Sequence, residues 1–364
     1  VDGNVVACSV VADNELLVTL PALNPGPPGS PVVHTLTVAF GDDVSEGFGF
    51  TVSQPAHEVD PGLLNGSSLS VDELSMNNVA NDTLSVLEAL LLANGGLGRN
   101  LTFDEQTRVG GYPNVGAGFR DTVNIPGGGQ TLVLGQALPA LDSGDTIDFN
   151  GLTLDGSGLP AGSDGLVVDG VTDLRVIDVV LDGFPGDGIR VTNESRGNEF
   201  ERITIAGSGE NGLFVRNECD FNTFEMIEIL DSGVDGLNLA DLCDHNEFTD
   251  LMIDGAGDDG AELDNGVDRN AFAGLSITDC GGDGLVLTNG ALQNRFPGDT
   301  EISMVGGTGL VLDGDDVSHN GFYSPLFSSA AAYRLRTAVR DCGEYGVRIE
   351  NGASSNTLGL RFVS

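Results

Sequence analysis

Glu262 and Asp264 stand two residues apart in the alternating segment Gly260-Ala261-Glu262-Leu263-Asp264. Alternate side chains of an extended chain share a face and lie roughly 7 Å apart, a separation that suits the acid and base of an inverting glycosidase. Arg216, outward on a similar segment two units earlier, completes the candidate catalytic set. The same alternation turns a charged residue outward on nearly every such segment, so a solvated polar face is the plainer reading. Asp235, Asp259 and Asp283 each precede a Gly at a constant spacing. Carboxylates stacked at that interval repel and need cations, high salt or raised pKa values, and oxygen-rich groups of this kind suit Ca2+. Asp-Gly is also ordinary turn chemistry, in which case the carboxylates splay into water. Cys219 and Cys243 each lie seven residues after their Gly. If successive units stack, their Cα atoms come within about 5 Å, the range of a disulfide; a buried thiol stack is the alternative. His34, His57, His245 and His319 share no metal-ligand spacing and read as solvated turn residues, and no nucleophile elbow, phosphate loop or zinc motif occurs.

The spacing that relates these residues is an internal repeat. Gly165, Gly188, Gly212, Gly236, Gly260, Gly284 and Gly309 follow one another at 23, 24, 24, 24, 24 and 25 residues, and Gly346 comes 37 later. Apolar residues stand one and three positions after each, as in Leu213/Val215 and Leu285/Leu287. That period of two marks a short strand with one buried face. Ten residues after the Gly comes an Asn (Asn198, Asn222, Asn246, Asn270, Asn294), and two further on a Phe (Phe200, Phe224, Phe248, Phe272, Phe296). A second alternating strand follows, such as Ile227/Ile229. A 24-residue unit of short strands cannot bury its apolar face alone, so copies must stack and equivalent residues must form ladders. An inward Asn then bonds backbone groups of its own and the next coil, while the Phe column stacks ring on ring. The fold class expected is all-β, a right-handed parallel β-helix solenoid with coils of about 24 residues.

These repeats resemble the right-handed parallel β-helix proteins, the pectate lyase-like and NosD-like superfamily, over residues 122–364. The resemblance implies the fold and leaves the chemistry open, because the superfamily hosts lyases, glycosidases, epimerases, adhesins and phage tail fibres. The Gly-His-Gly and Arg-Ile-Lys of polygalacturonases have no counterpart beside Asp258-Asp259, and Arg348-Ile349-Glu350 lacks the Lys. Upstream, Leu84-Ser85-Val86-Leu87-Glu88-Ala89-Leu90 followed by Asp121-Thr122-Val123-Asn124-Ile125 is similar to the N-terminal region of secreted SLREA-type β-helix proteins, although Val86 or Leu87 stands where that family has Arg.

Residues 122–364 thus form the solenoid. Residues 57–121 are expected to be a linker and helical cap, in which Asp82 or Thr83 caps a helix with Leu84, Leu87, Leu90 and Leu91 on one side and Ser70-Val71-Asp72-Glu73 fits a second capping box. Residues 1–56 read as a small β module or a strand-donating extension, with strands at 16–20, 32–40 and 48–52 around the turn-rich Asn24–Pro31.

Of 364 residues, 55 are acidic and 15 basic, all of the latter Arg, and the formal net charge is -40. Such a surface cannot neutralise phosphates, which excludes a nucleic-acid partner and an anionic membrane leaflet. No apolar run approaches the roughly 20 residues of a membrane span. Val1 is not a start Met, so removal of a leader and secretion are allowed. The coil from Gly346 ends without a capping helix, and an uncovered edge invites pairing. The function expected is therefore a secreted or cell-surface structural protein that assembles head to tail with copies of itself into a filament or array, without a catalytic site. The alternative is a polysaccharide-active enzyme of lyase, glycosidase or epimerase type, or a carbohydrate-binding adhesin.

Overall fold

The computed structural model describes residues 66–110, 115–116, 118–322 and 337–358 with their side chains, and by backbone alone residues 64–65, strand Leu360–Phe362 and the strands within residues 8–52. The chain divides into two compact units, Val1–Leu63 and Leu64–Ser364. In the first, Cys8–Ala12 pairs antiparallel with Glu15–Val18, Val32–Leu36 with Phe48–Val52, and Ala39–Phe40 with Asp43–Val44. The expected turn-rich segment 24–31 and the first seven linker residues, 57–63, lie outside the described residues.

The second unit is the solenoid. Eight short strands, from Leu166–Asp169 to Val347–Glu350, form one parallel sheet, and longer strands between them form another. Pairing is in register, so each coil repeats its neighbour: Leu213 opposes Leu237, Phe224 opposes Phe248, Ile229 opposes Ile253. Each of the first long strands bends once, at Asp178, Arg202, Met226 and Asp250, where φ lies between 54° and 57° and the ladder skips a residue. The bend makes three walls around the core.

Two kinds of position explain the repeat. The inward Leu, Ile and Val of the first seven short strands are fully buried. The Gly that opens each strand is required by space: a Cβ on Gly212 would sit 2.2 Å from Ile229 Cγ2 and 2.8 Å from the Gly236 carbonyl oxygen.

The N-terminal end departs from the expected layout. Leu64–Ser70 lies within the segment expected to be a linker, yet it is a strand of the long sheet and pairs in parallel with Phe119–Asn124. Ser70 ends that strand, so the expected capping box at Ser70–Glu73 does not form a helix. Asp72 instead accepts the Leu84 N–H at 2.6 Å, and Glu73 accepts the hydroxyls of Thr83 and Ser75. The cap helix is Val86–Ala93, begun by a capping box of Ser85 and Glu88 rather than by Asp82 or Thr83. A shorter helix, Phe103–Gln106, uses Thr102 and Glu105 in the same way. Arg99 ties the two together, meeting Glu88 at 2.6 Å and Glu105 at 2.8 Å, both carboxylates fully buried.

Candidate functional site on the outer face of the short sheet

The outward residues two positions after each Gly form one row across the coils. Register places Arg190 beside Phe214, Phe214 beside Asn238, Asn238 beside Glu262, and Glu262 beside Val286. The residues just before each Gly run parallel to this row, and they are a ladder rather than splayed turn carboxylates. Asp164 accepts the Asp187 N–H at 2.9 Å, Asp187 that of Asn211 at 3.0 Å, Asp235 that of Asp259 at 3.2 Å, and Asp259 that of Asp283 at 2.7 Å. The reason is geometric. An inward-leaning carboxylate oxygen one coil away is the nearest acceptor for an N–H that the strands do not use.

Holding carboxylates there has an electrostatic consequence. Burial raises the pKa of Asp187 and Asp235, and pushes Asp259 up to about 6. Glu262 is pushed up to about 7, first by burial and then by Asp235, Asp264 and Asp259. Asn238 bridges the cluster, its Nδ2 donating to Asp235 at 3.0 Å and to Glu262 at 2.8 Å. Glu262 therefore titrates close to neutral pH, and in its protonated form the carboxyl group is a hydrogen-bond donor as well as an acceptor. Arg190 stands over the half-buried Phe214 ring at 5.2 Å and Arg216 at 5.8 Å. At the far end Arg348 reaches Asp283 at 3.3 Å across the small Val311.

The structure sorts the residues expected from sequence. Glu262 and Asp264 do share the outward face of one strand. Arg216 does not join them. It lies two coils away and pairs with Asp241, so the three-residue catalytic set is not assembled. Asp235, Asp259 and Asp283 line up along the axis, and among the described residues no three His, Cys, Asp or Glu side chains converge as metal ligands. Cys219 and Cys243 are free thiols, not a disulfide. All side chains of a ladder point the same way, so the Cys219 N–H donates to Cys243 Sγ at 3.2 Å while Cys219 Sγ turns to the Arg216 carbonyl at 3.1 Å. The neighbouring thiol and burial keep the proton on Cys243. Cys280 and Cys342 are separated by the coil of Val305, which pairs with Cys342.

Asn198, Asn222, Asn246, Asn270 and Asn294 are fully buried. Each donates through Nδ2 and through its backbone N–H to the Oδ1 of the next Asn, as Asn222 does to Asn246 at 3.1 and 2.9 Å. Phe200, Phe224, Phe248, Phe272, Phe296 and Phe322 stack with centroids 4.2–5.0 Å apart. Sequence reasoning did not single out the Asn238 bridge, the Phe214 clamp, or a buried pair near the N-terminal end, Asp121 and Asp145. Adding the register of the outward row to the repeat would have found the first two.

Residues 164–300 match the family model of the right-handed β-helix region. With the parallel sheets, this match shows a right-handed parallel β-helix fold in the second unit. The match begins after the segment similar to SLREA-type proteins and does not extend to it. Two modules of Azotobacter vinelandii have a similar fold: the mannuronan C-5 epimerase AlgE6 A-module, with 12% identity, a TM-score of 0.38 and coverage of 67% of this chain and 81% of that one; and the mannuronan C-5 epimerase AlgE4 A-module, with 11% identity, a TM-score of 0.34 and coverage of 67% and 84%. The catalytic domain of a GH87 alpha-1,3-glucanase in complex with nigerose aligns at 11% identity and a TM-score of 0.25, over 89% and 75% of the two chains. None of the three is close enough to carry a function across. None of the curated proteins matches the chain. Among the described residues no helix is long and apolar enough to cross a membrane.

Proposed function

We propose that this is an extracellular protein that binds a neutral polysaccharide along the outer face of the short sheet. The observation that carries the reading is the row Arg190, Phe214, Asn238, Glu262, in which an aromatic ring, an amide and a carboxyl group poised near neutrality follow one another at single-coil steps. Parallel strands repeat at about 4.8 Å, comparable to the rise of a sugar in an extended glycan. Amide and carboxyl groups exchange hydrogen bonds with hydroxyls, and a few convergent polar groups beside an aromatic define a ligand site. An anionic glycan would meet the repulsion of a net charge of -40.

Glu262 makes the reading testable by pH. The protonated carboxyl both donates to and accepts from a sugar hydroxyl, whereas the carboxylate only accepts, so binding is expected to change as pH passes through about 7. Glu262→Gln, a permanent donor, is expected to bind as well at pH 8 as at pH 6 when measured by affinity electrophoresis in soluble xylan, galactomannan and laminarin. Binding by none of these sinks the proposal. Release of new reducing ends that Glu262→Gln abolishes would make the protein a glycosidase.

End-to-end assembly is a second reading, favoured by one observation. Ile349, inward on the strand Val347–Glu350, is 50% exposed, whereas its neighbour Leu312 is fully buried. Among the described residues little packs on this inward row, and an exposed apolar row beside a strand edge is a surface on which another copy can pair. Light scattering is expected to show concentration-dependent growth that Ile349→Asp abolishes, and a monodisperse parent at high concentration removes this reading. The side chains of Leu360 and Phe362, expected to add to that surface, lie outside the described residues.

A further inference from the structure

The first coils depart from the regular turn of the solenoid. The strands Leu64–Ser70 and Phe119–Asn124 and the start of Thr146–Asp155 run side by side, with Ser70 beside Asn124 and Asn124 beside Asp148. Later coils pass from here through a single bend residue, such as Asp178 or Met226. After Asn124 the chain instead makes the loop Ile125-Pro126-Gly127-Gly128-Gly129-Gln130 before its next strand, Thr131–Val133. Gly127 lets this loop lie on the following coil, because a Cβ there would sit 2.1 Å from the Phe149 carbonyl oxygen. The detour leaves a cleft of about 680 Å³ lined by Ser70, Asn124, Pro126, Gln130 and Asn150 around the glycines. Two of the amides are held in place. Asn150, at a φ of 48°, donates its N–H to Asp148 at 2.9 Å and its Nδ2 to the Ile125 carbonyl at 2.9 Å. Gln130 donates Nε2 to the Pro126 carbonyl at 3.3 Å. Asn150 Oδ1 and Gln130 Oε1 are left without a partner among the described residues.

We propose that this cleft binds a small neutral sugar, a mono- or disaccharide. Its volume falls in the roughly 300–1,000 Å³ range of small-molecule sites, and the chemistry of its walls excludes the other ligand classes in turn. A glycine-rich loop holds phosphate through free backbone N–H groups, and here all four are spent: Gly127 donates to Ile125, Gly128 to Asn150, Gly129 to Gly151 and Gln130 to Gly127. A hard cation needs carboxylate ligands, yet none of the residues that line the cleft is charged. An apolar ligand finds little to touch, because Val71 is 6% exposed and Ile125 is fully buried. What remains is a wall of amides and one hydroxyl. Asn150 Oδ1 and Gln130 Oε1 are acceptors fixed by their own hydrogen bonds, while the Asn124 amide and the Ser70 hydroxyl both donate and accept. Hydroxyl groups satisfy all of these, and the exposed Pro126 ring offers an apolar edge to the C–H side of a sugar. Acceptors already held in place lose little freedom on binding. The cleft shares no residue with the row that contains Phe214 and Glu262, so this inference stands or falls independently of the polysaccharide reading.

Amide NMR spectra of the full chain test the site with glucose, mannose, galactose, xylose, cellobiose and maltose as probes. At high millimolar concentration at least one of them is expected to shift the backbone resonances of Gly127 and Gly128 and the side-chain amide resonances of Gln130, whereas glucuronate, an anionic counterpart of glucose, leaves them in place. Asn150→Gly suits the positive φ and removes the fixed acceptor, and is expected to weaken binding of that sugar about tenfold. Gln130 is exposed, so Gln130→Ala is the variant least able to disturb the fold, and it is expected to weaken binding while the melting temperature stays at the parental value. Resonances of Gly127 and Gly128 that none of the six sugars moves overturn the proposal. So does parental affinity in Gln130→Ala and Asn150→Gly, which would put the sugar elsewhere, and so does an equal response to glucuronate, which would mean that the cleft does not select a neutral ligand.

Discussion

Replacing Phe248 with Ala is expected to lower stability by about 3–5 kcal/mol, with a matching drop in the urea midpoint. The ring is buried and stacked on both sides, 4.8 Å from Phe224 and 4.5 Å from Phe272, and mid-solenoid neighbours held by register on either side cannot collapse into the space. Asn246→Ala is expected to be at least as damaging. Asn246 accepts both the backbone and side-chain N–H of Asn222 and donates to the Cys219 carbonyl at 2.9 Å, so three buried groups lose a partner at once. Each stranded group costs about 1–3 kcal/mol. In a stack where each coil touches only its neighbours, a fault in the middle also divides the cooperative unit, so the unfolding curve is expected to broaden or split. Asn356→Ala is expected to cost less, because Asn356 is only partly buried. Parental midpoints for Phe248→Ala and Asn246→Ala would show that the ladders do not hold the coils together.

Why the ladders were legible and the site was not follows from how each is encoded. A ladder is one residue type at one register, so Asn at ten and Phe at twelve residues after Gly announce themselves once the period is found. The interior of a coil has one solution, and the sequence repeats it. The outward row repeats nothing: Arg190, Phe214, Asn238 and Glu262 share a register and differ in chemistry, so periodicity points to their positions and not to their roles. The Asp column shows a subtler limit. Its repeat is as regular as that of the Asn column, yet Asp-Gly has a sufficient explanation as a turn. In the folded chain Oδ1 instead leans across to the next backbone N–H, a contact that spacing does not record. The missed strand Leu64–Ser70 falls outside the repeat altogether. It pairs with Phe119–Asn124 over a loop that contains both cap helices, a contact that no local spacing records.

The buried pair at the N-terminal end is expected to make the protein more stable in mild acid than at alkaline pH. Asp145 is 2% exposed and its Oδ1 accepts the Asp121 N–H at 2.9 Å. Burial first, then the charges of Asp121 and Asp142, push its carboxyl from 3.8 up to about 8. The folded chain therefore holds a proton on Asp145 at pH values where the unfolded chain has released it. Stability from this group is complete below the unfolded value, and it is lost as pH rises through about 8. Each pH unit between the two values corresponds to about 1.4 kcal/mol. Glu262, at about 7, and Asp259, at about 6, act in the same direction. Glu73, Glu105, Asp155 and Asp241 act in the opposite one, because their pKa values are lowered, and their contributions fade only below the ordinary carboxylate range. The melting temperature is expected to rise as pH falls from about 8 to about 5 and to drop again below about 4. Sodium chloride is expected to lift the whole curve by screening the net charge of -40, with calcium chloride at equal ionic strength no better. Screening leaves the burial of Asp145 untouched, so the slope between pH 8 and 5 is expected to persist in high salt. Asp145→Asn keeps the acceptor for the Asp121 N–H and removes the proton equilibrium. It is expected to be more stable than the parent at pH 8, to converge on it only as pH falls to the unfolded value of 3.8, and to flatten the curve between them. A parent whose melting temperature is level from pH 8 to 5, or an Asp145→Asn variant that keeps the parental slope, would mean that Asp145 is ionised in the folded chain.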